Sequence, residues 1–230
     1  MNIKALSSAI YNDIVAGMSG YEASMNMSLE QLEDEIIQVR LEIIKKYAMK
    51  NLIPKKDLYQ SINCIQLDCE TLDKCCIRHD YDQSQLHFEI PQIVNDFGED
   101  AIGYIGSTNK QLQFKVYTNT NFGNHKYKMR GSQKPFVYID TTPNKNNLYD
   151  CYVFNAPMLE RLSVIGIFKD PRQLQLDQFK CCPTDNQDED FIPENLTWLT
   201  SEIKETLVKR KLVYYRQYYQ QPQPNDQVPK

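Results

Sequence analysis

Glycine is scarce in this chain, at 8 of 230 residues, and so are tryptophan (1) and histidine (3). With so few glycines, no phosphate-cradling loop is present, and the serine elbow and zinc-protease helix motifs are missing too. A cysteine nucleophile would have only His79, His87 or His125 as a histidine base, and none sits in a recognisable catalytic signature. Positive charge is not in excess either. With 26 Lys and Arg against 30 Asp and Glu, the net charge of -4 gives no global attraction to nucleic acid or to an anionic membrane. No run approaches the ~20 apolar residues that span a bilayer. The N-terminus MNIKALSSAIYNDIVAG carries Asp13 and lacks the basic, then apolar, order of a signal peptide. Together these absences disfavour catalysis and membrane association. A soluble chain with no cofactor, assembled in a cytosol that keeps its 7 cysteines reduced, is expected.

What is present begins with a strongly written helix, Ser28 to Asn51. Ser28 is suited to be its N-cap with Gln31 as capping-box partner, and Met27 and Leu32 stand where a hydrophobic staple joins. Acidic residues open it and lysines close it, the order that the helix dipole favours. Two adjacent apolar stripes, Leu29, Leu32, Ile36, Val39, Ile43, Tyr47 and Ile37, Leu41, Ile44, Ala48, make an arc too wide for one neighbour. Residues 3–18 form a first helix that returns as an antiparallel hairpin partner. Leu196 to Leu212 form a third, with Leu196, Leu199, Ile203 and Leu207 as its stripe.

Pro54 ends the helical regime. Beyond it, strand-like alternation dominates to about Lys180: Tyr59 to Cys69 with Asn63, Ile65, Leu67 and Cys69 on one face, then segments around Leu86 to Ile90, Leu112 to Val116, Pro135 to Asp140, Leu148 to Phe154 and Leu162 to Phe168. The fourth and fifth flank the turn TTPNKNN and predict a hairpin. The fold class is therefore α+β. An N-terminal helical hairpin (1–53) and a C-terminal helix (184–213) pack beside an antiparallel β-sandwich or barrel (54–183). An extended C-terminal arm (214–230) follows.

The chemistry-bearing residues are few. Cys64, Cys69, Cys75, Cys76 and His79 lie close together, but paired zinc knuckles need matched short spacings and these are absent. Buried thiols acting as small apolar residues are the favoured reading. A cytosolic, metal-stabilised regulatory module using the Cys64–His79 cluster is the alternative. Asn119 to Gln133 gathers His125, Lys126, Lys128 and Arg130 around Tyr127 and predicts an exposed loop. Tyr214, Tyr215, Tyr218 and Tyr219 follow the basic run Lys209, Arg210, Lys211 and lead to Pro222 and Pro224. An aromatic, preorganised segment of this kind is suited to dock in a groove on a partner.

The helical hairpin, the β-rich middle, the stretch NLIPKKDLYQSINCIQLDCETLDKCC and the ending IPENLTWLTSEIKETLVKRKL with YYRQYYQQPQPNDQ together resemble the ring or head-to-tail structural proteins of tailed bacteriophages, in particular of crAss-like phages. The resemblance implies a non-enzymatic virion subunit. It implies copies arranged in a ring, twelvefold to match a portal, with portal and other tail or ring proteins as partners. Genomic DNA would pass close by without being bound tightly. It transfers no catalytic, cofactor or metal residues.

Overall fold

The structure, a computed structural model, describes residues 3–18, 27–50, 52, 55–70, 85–94, 101–118, 134–156, 158–176, 179 and 197–220. The chain forms two compact units, Met1–Ile53 with Asp188–Lys230, and Pro54–Gln187.

The first unit is a three-helix bundle of α1 (Ile3–Gly17), α2 (Leu29–Met49) and α3 (Thr197–Gln220). The predicted cap is present: Ser28 Oγ accepts from the Gln31 N–H at 3.1 Å, while the Ser28 N–H donates to Gln31 Oε1 at 3.3 Å. Nearly all of both predicted stripes of α2 is buried or half-buried; only Leu29, in the first turn, is exposed, and Arg40 is buried with them. Ile3, Leu6, Ile10 and Ile14 of α1 and Leu199, Ile203 and Leu207 of α3 supply the rest of this core. The wide arc of α2 is thus covered inside the chain, as the hairpin and the C-terminal stripe predict.

The end of α3 differs from expectation. The arm predicted to be extended from Tyr214 is helical as far as Gln220. Lys, Arg, Leu and Gln are good helix formers, and no breaker occurs before Pro222, which disfavours helix at the residue ahead of it. Residues 221–230 lie outside the described residues.

The second unit is a two-sheet sandwich. One sheet holds β1 (Gln60–Gln66), β8 (Arg161–Gly166) and β4 (Ile102–Ser107) in that order. The other runs β2 (Asp68–Glu70), β3 (Gln85–Pro91), β7 (Leu148–Phe154), β6 (Phe136–Pro143) and β5 (Lys115–Thr118). Short 3-10 turns cover Lys55–Leu58 and Pro171–Gln175. Alternate residues of both sheets meet in one core. Ile62, Ile65, Ile105, Leu162 and Val164 come from the first sheet, and Phe88, Ile90, Val137, Ile139, Cys151 and Val153 from the second. The predicted hairpin is β6 and β7. Asn144 Oδ1 accepts from the N–H groups of Asn146 and Leu148, and Asn147 takes the left-handed φ of 62° that asparagine tolerates.

Four strand expectations are corrected. Tyr59 to Cys69 is two strands in two sheets, and a bulge between Ile62 and Ile65, with Cys64 at φ 60°, turns Asn63 out to solvent. β4 was not predicted, since IGYIGS lacks alternation. The segment at Leu112 begins as a turn, and its strand starts only at Lys115. Finally, β5 pairs parallel to β6, so the sheet is mixed. A parallel pair needs a long connection, and the sequence provides one between Thr118 and Phe136.

Candidate assembly surface

The C-terminal half of α3 carries the four tyrosines among the predicted contact residues. Its first half is held firmly: Tyr47 and Trp198 rings lie 5.0 Å apart, and the Tyr47 hydroxyl hydrogen bonds to Glu202. Lys204 pairs with Asp13 of α1 at 2.8 Å. Further along, Arg210 meets Glu42 at 2.6 Å and Lys211 meets Glu35 at 2.5 Å, both on α2. The bond to Glu42 raises the Arg210 pKa further, so it stays charged. Two of the three cations of the basic run are thereby paired with carboxylates of α2.

Past Leu207 the burial of α3 fades. Leu212 is half-buried and leans on Gly17, where a Cβ would stand 3.0 Å from its methyls. Val213 is 49% exposed and Tyr214 59%. Tyr214 and Tyr215 meet edge to face with centroids 5.4 Å apart. Tyr218 and Tyr219 follow on the same helix at four-residue spacing, and Pro222 and Pro224 fall outside the described residues. Two depressions flank this half of α3. One, of about 290 Å³, lies against α2 and is lined by Val39, Leu207, Arg210 and Tyr214 among others. The other, of about 640 Å³, lies on the α1 side between Asp13 and Leu212. Neither was legible in the sequence, because a groove is made by the helices it lies between.

The remaining candidates lie in the sandwich. Cys64 is half-buried in the bulge of β1, while Cys75, Cys76, His79 and the loop Asn119 to Gln133 fall outside the described residues. Among the described residues no three His, Cys, Asp or Glu side chains converge on a metal position. Cys151 faces the core, where burial first, and then Asp150, Asp140 and Glu89, push its thiol pKa well up. Such a thiol is a poor nucleophile. His87 pairs with Asp150 at 3.4 Å on the opposite face of the same sheet, and Asn144 donates to both Glu89 and Asp150.

That outer face holds a second feature that sequence reasoning missed. Asp68, His87, Tyr152, Tyr138 and Tyr117 stand in register across all five strands. Beside them Phe136 stacks on Phe154 at 4.6 Å. Tyr117, Phe136, Tyr152 and Phe154 are buried, so this cluster stiffens the sheet.

No helix among the described residues is long and apolar enough to cross a membrane. No curated protein matches the chain. A family model described as phage tail ring protein 2 matches residues 9–228, and the chain accordingly belongs to that family of structural, non-enzymatic proteins of the phage tail.

Proposed function

We propose that copies of this chain close into a ring that connects the portal to the tail, and that the end of α3 makes the contact with the neighbouring protein. Tyr214, Tyr215, Tyr218 and Tyr219, with Pro222 and Pro224 beyond them, are the contact residues. The observation that carries this reading is the exposure of Val213 and Tyr214 on a helix that continues for 13 residues, about 20 Å, past the buried Leu207. Tyrosine is a favoured interface residue because it brings a large, stiff apolar area with a polar tip. A closed cyclic assembly needs two different surfaces on each subunit, and the family membership supports a ring as that assembly. A net charge of -4 suits a wall past which DNA moves without being held.

Removing residues 214–230 should leave the bundle folded, with a thermal midpoint within a few degrees of the full chain, because Leu199, Ile203 and Leu207 remain. It should abolish ring formation and incorporation into particles. Mass and symmetry of the purified protein, alone and with portal protein, measured by native mass spectrometry and electron microscopy, decide the matter. A truncated chain that still enters particles at the normal level would remove the contact from α3, and a full chain that stays monomeric even with portal would sink the ring.

A further inference from the structure

We propose that the depression between α1 and α3 is the seat for residues 221–230 of a neighbouring copy, so that an arm passes from each subunit to the next. The proposal rests on the ring reading and names its joint. The seat has about 640 Å³ of space and an apolar floor of Val208, Leu212 and Val213, with lining charges at Glu205 and Lys209 beyond the Asp13–Lys204 pair. The incoming segment, QPQPNDQVPK, brings Pro222, Pro224, Val228 and Pro229 for the floor, with Asp226 and Lys230 for the two charges. Prolines enter such a groove with little entropy to lose, since their backbone is already extended. Arg210 and Lys211 are engaged by Glu42 and Glu35, which leaves Lys209 as the cation of the basic run that faces the seat.

Direction selects the neighbour over the parent chain. The seat runs from Ser201 to Val213, about 18 Å of helix, and a ten-residue extended segment, about 31 Å, is long enough to cover it. Gln220 stands seven residues, about 10 Å, beyond Val213 along its own helix. To reach its own groove the chain would have to reverse around Pro222 and Pro224, whereas proline and the residue before it favour extended backbone. A segment that runs onward instead can enter the seat of a neighbouring copy.

Two full-length variants test this, one carrying Val213→Cys and the other Val228→Cys. Mixed, assembled and treated with diamide, they should yield a disulfide between the two introduced thiols, located by peptide mass spectrometry in the ring fraction. Separately, Asp226→Lys should raise the concentration needed for half-assembly by about tenfold or more, and Lys209→Glu should restore it in the same chain. Rings that form without that crosslink overturn the joint while leaving the ring intact. A crosslink that forms only when Val213→Cys and Val228→Cys are placed in one chain, as an intrachain bond in monomers, overturns it too. Absence of any ring overturns the ring reading and this joint together.

Discussion

Gly106 is held by backbone on one side and a ring on the other: a Cβ there would stand 2.0 Å from the Leu112 carbonyl oxygen and 2.6 Å from the Tyr104 hydroxyl. That carbonyl accepts from the Ser107 N–H at 2.9 Å and from the Tyr104 hydroxyl at 3.1 Å, so it has little freedom to retreat. Gly106→Ala should therefore cost about 2–4 kcal/mol, read as a lower urea midpoint; a loss under about 0.5 kcal/mol would show that the turn yields easily. Tyr47 carries a pH signature. Its hydrogen bond to Glu202, then burial, then the Glu202 charge raise its pKa. A proton held more tightly in the folded chain contributes stability that is complete below the unfolded value of about 10, and that is lost as pH rises through the folded value. Tyr47→Phe should flatten the fall of stability in that alkaline window. An unchanged pH slope between the two proteins would deny the bond its role.

At the level of the element, α3 combines two kinds of attachment to the bundle. Ile203 is fully buried, whereas Arg210 and Glu42 are each more than half exposed although only 2.6 Å apart. Apolar burial and the cavity left by truncation make Ile203→Ala cost about 2–5 kcal/mol. Solvent screening keeps Arg210→Ala under about 1 kcal/mol. Urea denaturation of the two variants gives the ranking, and the reverse order would mean that ion pairs hold the helix. The helices were the legible elements. Ser28 with Gln31 and the paired stripes are local signals that need no tertiary knowledge to read. The strands were less legible, because period-two alternation is lost wherever a bulge or a turn intervenes, as at Asn63 with Cys64 and at Leu112. α3 outran its expected end because the apolar stripe stops at Leu212, while helix propensity persists to Pro222.

For the whole molecule, sequence alone determined the α+β class, the three helices, the β6–β7 hairpin and the likeness to phage ring proteins that the family match bears out. The structural ones rest on near neighbours in the chain: capping, periodicity, turn chemistry and breakers. Tertiary structure alone decided which strands pair, the parallel β5–β6 contact, the ladder from Asp68 to Tyr117 and the grooves beside α3. Those features join residues far apart in sequence, and their free energy comes from surfaces that exist only once the partners have met. The tyrosines of the C-terminal segment were visible as composition. Their placement on a helix, beside grooves that other helices help to build, required the fold.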